Sequence, residues 1–218
     1  MTTTTPQRDG DLDGSPGPVR VAVVFHSGYG HTRVQAEAVH HGASRVPGVE
    51  ADLVPVDEVD SRWDALDAAD AIVFGAPTYM AGPSAPFKAF LDATSPRWQE
   101  QRWKDKLAAG FTNSAGLNGD KLATLQALAL FAMQHGMVWV GLGLLPGNHT
   151  SEGSPEDLNR LAAFVGAMAQ SHADQGPELV PPASDRRTAE HLGRRVAEAA
   201  VRWSVSTSTA PDTALEPA

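Results

Sequence analysis

The chain has 218 residues, 20% of them charged and 42% apolar, enough for one globular domain with a real core. Its formal charge of −9 argues against nucleic acid or an anionic membrane as partner, because each needs a basic face. It contains no cysteine, which excludes disulfides, thiolate metal sites and cysteine-ligated iron–sulfur clusters. No apolar run reaches the roughly 18 residues of a membrane span, and the N-terminus lacks a signal-peptide core, so a cytoplasmic location is expected.

Residues 1–18 carry Thr, Asp, Pro and Gly with a lone Leu12, and are expected to be disordered. A buried strand is expected over 19–24 and a helix over 33–46, with Ala36, Val39, Ala43 and Val46 on one face. Pro47 and Gly48 end that helix. Residues 49–56 read as a second strand, and Trp63 and Leu66 as part of a short helix or turn. Residues 71–75 read as a buried third strand. A helix begins near Ser84, with Pro86 in its first turn and Phe87, Phe90, Leu91 and Thr94 at helical spacing, until Pro96 stops it. A fourth strand is expected over 106–112, a helix over 120–135 and a fifth strand over 137–142. The 120–135 helix is apolar nearly all round. Leu128, Leu130 and Phe131 fall outside its Leu122–Leu125–Ala129–Ala132 stripe, so a second subunit is expected to cover them. Residues 144–185 lack a pattern apart from a possible short helix at 155–161. So long an irregular stretch is expected to be a lid or an interface arm. A last helix spans 187–203, and 204–218 reads as a disordered tail, leaving one domain over 19–203.

Strands that alternate with helices make a parallel sheet covered on both faces. The expectation is a doubly wound five-stranded α/β sheet of order 2-1-3-4-5, which binds ligands at the carboxyl ends of its strands. Three loops lie on that edge. The first, Ser27 to Thr32, leads from strand to helix and is suited to an anion. Helix N–H groups converge there, Gly28 and Gly30 allow close approach, and Ser27 and Thr32 offer hydroxyls. It matches neither GxxxxGK[ST] nor GxGxxG, which leaves a terminal monophosphate such as that of FMN, or a plain βα turn that uses Gly for geometry. The other two, residues 76–83 and 113–119, carry Gly with Thr, Tyr, Ser or Asn and no acid–base pair. Together the three suit a flavin, which needs a phosphate cradle and a flat slot.

His40 and His41 are neighbours on a helix and cannot face one ligand, and no HExxH or carboxylate cluster is present, so no metal site is expected. Asp70 precedes the third strand, which excludes a receiver domain. Trp98 and Trp103 suit packing as well as substrate stacking, and His135 suits a helix C-terminal dipole as well as a site.

Several motifs in order carry a resemblance: Ser27-Gly-Tyr-Gly-His-Thr32, Gly75-Ala-Pro-Thr-Tyr79, Phe87-Lys-Ala-Phe-Leu-Asp92, Trp98 and His135-Gly-Met-Val138. Over residues 19–142 the chain resembles the WrbA-type NAD(P)H:quinone oxidoreductases, tetrameric FMN enzymes with a flavodoxin-like fold. The resemblance implies that Ser27, Tyr29, Gly30, His31 and Thr32 hold the phosphate and ribityl end. It implies that Pro77, Thr78, Tyr79 and Met80 line the isoalloxazine, and that Asn113, Ser114, Ala115, Gly116 and Asn118 close the other side. His135 would sit at the ring edge, a candidate catalytic residue. Trp98 and Tyr29 would border the nicotinamide or quinone slot. The implied function takes hydride from NAD(P)H through FMN to a quinone-like small molecule, in a homodimer or homotetramer. Two alternatives stand beside it: an FMN enzyme acting on a biosynthetic intermediate under a 144–185 lid, and a flavodoxin-like electron carrier, which the acidic charge suits.

Overall fold

The computed structural model describes residues 17–209, with side chains through Ser204. The expected disorder of the two tails lies outside those residues, except that the last helix runs on to Thr209 instead of ending at 203. The sheet forms from β1 (Val19–Phe25), β2 (Val49–Pro55), β3 (Ala71–Tyr79), β5 (Leu107–Ser114) and β6 (Val138–Trp139), in the order β2-β1-β3-β5-β6. That is the expected parallel order, and the register runs without a slip from Val21↔Ala71 to Phe25↔Gly75.

The strands are apolar on both faces because both are covered. Val21, Val23 and Phe25 face α1 (His31–Ser44) and α6 (Ala183–Thr209), against Ala36, Val39, Leu192 and Val196. Ala22, Val24, Ile72 and Phe74 face the other layer, α2 (Trp63–Ala68), α3 (Ala85–Ala93) and, beyond the short α4 (Ser95–Gln99), which buries no residue, α5 (Lys121–Gln134). There Trp103, Phe87, Phe90 and Leu128 fill the space. α1 and α6 cross where a Cβ on Gly42 would lie 1.9 Å from the Glu190 carbonyl, so only glycine permits that approach.

The fifth sheet position departs from expectation. Strand pairing on β5 stops after Trp139, and the chain then leaves the sheet for residues 140–166. It returns as β7 (Ala167–Gln170), which pairs with β5 from Phe111↔Ala167 to Ser114↔Gln170. The segment 144–185 is therefore not irregular throughout, since four of its residues complete the sheet. The short helix expected at 155–161 is a series of turns. Asn159, buried and at φ 51°, organises them. Its Nδ2 donates to the Leu144 carbonyl at 3.3 Å and the Ala163 carbonyl at 3.0 Å, and its Oδ1 accepts the Ala163 N–H at 2.8 Å. β4 (Gly82–Pro83) folds back on β3 as a short hairpin.

α5 also differs from expectation. Leu128 is buried, and Phe131 packs edge-on against Phe74 with ring centroids 5.3 Å apart. The outward apolar residues are Leu122, Leu130 and Met133, because the helix turns Leu128 and Phe131 toward the sheet.

Candidate functional site

A cavity of about 560 Å³ opens at the carboxyl edge of the sheet. Its walls are Tyr29, His31 and Thr32 from the first loop, Pro77 and Tyr79 from the second, and Asn113, Ser114 and Ala115 from the third. Ser171, Ala173, Gln175 and Gly176, which follow β7, close the remaining side. Sequence reasoning placed a lid somewhere in 144–185 but named none of those four, because no motif marks them.

The first loop presents an open helix N-terminus, a geometry that suits an anion. Gly30 precedes α1 at φ 89°, a conformation that needs glycine. The first-turn N–H groups of a helix have no partner within it, and here only that of Arg33 is taken, by Ser27 Oγ at 3.1 Å. Ser27 thus caps the helix and does not line the cavity. Pro177 lies over Gly30, so a Cβ there would come within 2.9 Å of its ring. The His31 ring donates from Nε2 to the Gln175 carbonyl at 2.8 Å, tying the post-β7 segment to the loop. His26, at the base of the loop, shares a 2.8 Å hydrogen bond with Ser84, which fixes the second loop to the first. Burial holds the His26 imidazole below its ordinary range, against the opposing charge of Asp57.

The second loop keeps strand geometry as far as Tyr79, so alternate residues face opposite ways. Pro77 and Tyr79 face the cavity. Thr78 faces away and hydrogen bonds Thr112 and Thr124 at 2.8 Å each. The Tyr29 and Tyr79 rings meet edge-on at 6.4 Å across the mouth. Burial, with a smaller contribution from Tyr29, pushes the Tyr79 phenol up. Met80 and Ala81 form the hairpin tip, both at positive φ, and Met80 is fully exposed instead of lining the cavity.

In the third loop Asn113 is buried, with Nδ2 donating to Ser171 Oγ at 2.8 Å and Oδ1 without a partner. An orphaned acceptor on a cavity wall calls for a ligand donor. Gly116 and Asn118 stay off the wall. The Gly116 carbonyl accepts from Lys121, and the Asn118 carbonyl accepts the Lys121 N–H. An open helix N-terminus suited to a monophosphate, a cavity walled by Pro77, Tyr79 and residues 113–115, and an unpaired amide oxygen fit FMN.

Trp98 and His135 lie at the opposite edge of the sheet. α5 runs antiparallel to the strands for 14 residues, about 21 Å, so a helix that starts beside the cavity ends far from it. His135 packs on Trp103 at 4.8 Å and against Phe131. Its Nε2 bonds Thr94 Oγ1 at 2.9 Å. Thr94 already donates its proton to the Leu91 carbonyl, so the histidine is the donor and its Nδ1 is left unpaired. Burial pushes this imidazole down to about 4. Trp98 is half exposed beside the Arg97–Asp67 ion pair that precedes β3.

The family model for NADPH-dependent FMN reductase matches residues 35–150. The chain is 45% identical to flavodoxin FldP of Pseudomonas aeruginosa, over 82% of this chain and 95% of that one. It is 32% identical to an NAD(P)H dehydrogenase (quinone) of Archaeoglobus fulgidus, over 83% and 97%. The solved structure of a WrbA-like flavodoxin from Agrobacterium tumefaciens superposes with a TM-score of 0.66 at 45% identity, over 84% and 98%. The fold, the phosphate-suited loop and these likenesses agree: the chain belongs to the NADPH-dependent FMN reductase family, among its WrbA-like members, and is a flavodoxin-fold oxidoreductase that uses FMN and NAD(P)H.

Proposed function

We propose that the protein passes two electrons from NAD(P)H to a quinone-like small molecule in the cytoplasm, working as a homodimer or homotetramer. The observation that carries this reading is the cavity mouth, where Tyr29 stands 77% exposed opposite Tyr79. An exposed aromatic rim suits flat partners that bind in turn over one site. When bound, FMN accepts hydride and returns two electrons. The chain's own part is to hold and orient. The first loop takes the phosphate, with Gly30 allowing the approach and His31 and Thr32 at the wall. Pro77, Tyr79 and Asn113 to Ala115 form the slot. No side chain at the wall needs to act as an acid or base.

Trp98 and His135 cannot reach this cavity from their own chain. The family resemblance assigns both to it; half-exposed Trp98 is the one of the two that a second copy could present, since His135 is buried in its own core. The outward apolar stripe of Leu122, Leu130 and Met133 supports such an assembly. A second reading, an electron carrier, is favoured by the name of the 45% identical flavodoxin FldP. The test is the flavin absorbance of the purified protein with NADH or NADPH, with and without a quinone. Rapid bleaching by the nucleotide and recovery with quinone are expected. Bleaching only through a separate reductase supports the carrier.

A further inference from the structure

The cavity wall is backed by a buried cation. Lys121 is the first residue of α5 and is completely buried. Its Nζ donates to Ser114 Oγ at 2.8 Å and to the Gly116 carbonyl at 2.7 Å. Ser114 lines the cavity, so the ammonium lies one hydrogen bond behind the wall. Its partners are a hydroxyl and a carbonyl, so neither neutralises it. Asp185 on α6 is committed elsewhere: it takes Arg160 with both oxygens, at 2.7 and 2.8 Å, and also accepts the Gln170 N–H at 2.9 Å. Gln170 in turn donates from Nε2 to the Ala115 carbonyl at 3.2 Å. The third loop is thus gripped from both sides, and although burial pushes the Lys121 ammonium down to about 8, against the pull of Asp185 and with a push from Arg160, it stays mostly charged at neutral pH.

Burying an ammonium without a paired carboxylate is unfavourable for folding, and an apolar residue of similar length would avoid that cost. Loop geometry alone does not require a charge either, since a neutral amide can donate the same two hydrogen bonds. We propose that Lys121 is a positioning residue that holds the third loop against the flavin and, through its charge, raises the reduction potential of bound FMN. The inference rests on the reading of the cavity as the FMN site. Reduced flavin carries more negative charge than oxidised flavin, and a fixed cation behind a low-dielectric wall favours it. A higher potential helps FMN accept hydride from NAD(P)H, whereas a low-potential electron carrier would be served by the opposite charge. Lys121 therefore bears on which of the two functions the site performs.

The test compares wild type, Lys121→Gln and Lys121→Met as FMN complexes by spectroelectrochemical titration, with the melting temperature and FMN dissociation constant measured alongside. Gln keeps the hydrogen-bond donors without charge, and Met keeps the stem without either. Both variants are expected to hold FMN, with a midpoint potential lower by at least a tenfold change in the equilibrium constant, about 30 mV for a two-electron couple. The Met variant is expected to melt no lower than wild type. Potentials unchanged in whichever variant folds would overturn the inference and leave the FMN site standing. A lower melting temperature with an unchanged potential would assign Lys121 to structure alone. Wild type that binds no FMN would instead overturn the reading of the cavity itself.

Discussion

His135 shows how burial turns one side chain into a pH sensor of the fold. Its imidazole titrates near 6.5 in the unfolded chain and near 4 when folded. Between those values the unfolded chain binds a proton that the folded one refuses, so stability falls as pH drops from about 6.5 to 4. The full effect is about 3 kcal/mol at 1.36 kcal/mol per pH unit. His135→Gln keeps a donor for Thr94 and should flatten that slope in urea melts at pH 7, 5.5 and 4. An unchanged slope would show that another group sets acid stability. At Gly30 the chemistry is steric. Gly30→Val puts a branched side chain at φ 89° and against Pro177, and it should abolish FMN binding while circular dichroism stays native. Flavin absorbance retained after gel filtration would refute the cradle. The direction of the Thr78 side chain was not legible in the sequence. A strand expected to end at 75 offers no alternation to apply at 78, yet β3 runs on to Tyr79 and turns Thr78 inward.

Among the elements, the core strands and helices were legible because their apolar periodicity is strong, and the parallel order followed from their alternation. β7 was not. Its four residues, Ala-Met-Ala-Gln, include no β-branched or aromatic side chain, and only pairing with β5 makes them a strand. Lys121 gave no signal either, since a lysine in a first helical turn normally reads as solvated. The hairpin between β3 and β4 carries its own consequence. Two central residues at positive φ are the pattern that favours Asn-Gly, yet this chain has Met80 at 48° and Ala81 at 63°. Each left-handed non-glycine residue costs about 1–2 kcal/mol. A Met80→Asn, Ala81→Gly variant should therefore raise Tm by a few degrees. A lower Tm would mean that the two side chains make stabilising contacts beyond their own chain.

For the whole molecule, the unanswered demand is the outward face of α5. Leu122, Leu130 and Met133 are exposed in one chain at 47%, 68% and 59%. Covering such a stripe contributes a few kcal/mol at about 25 cal/mol per Å², before association costs. Leu130→Asp should lower the molar mass seen by light scattering and reduce quinone reductase activity, with FMN content unchanged. Phe131 cannot serve for this test, because it is packed under Phe74 and its replacement would damage the core. An assembly of unchanged mass would assign the interface to another face, and a dissociated variant with full activity would show that one chain suffices.

The divided fifth position of the sheet leads to the expectation that the fold can be assembled from two pieces. Residues 140–166 leave and re-enter through one gap, closed by the hydrogen bond from the Leu142 N–H to the Phe164 carbonyl at 2.9 Å. A chain break between the exposed residues Thr150 and Ser151 would cut no sheet pairing. The first piece would keep all three loops named from the sequence. The second would bring β7, α6 and the segment in which Pro177 lies over Gly30. Co-expressed as separate polypeptides, the two should find each other through β5 and α1 and assemble an FMN site that neither forms alone. Flavin fluorescence quenched only when both are present would report that complementation.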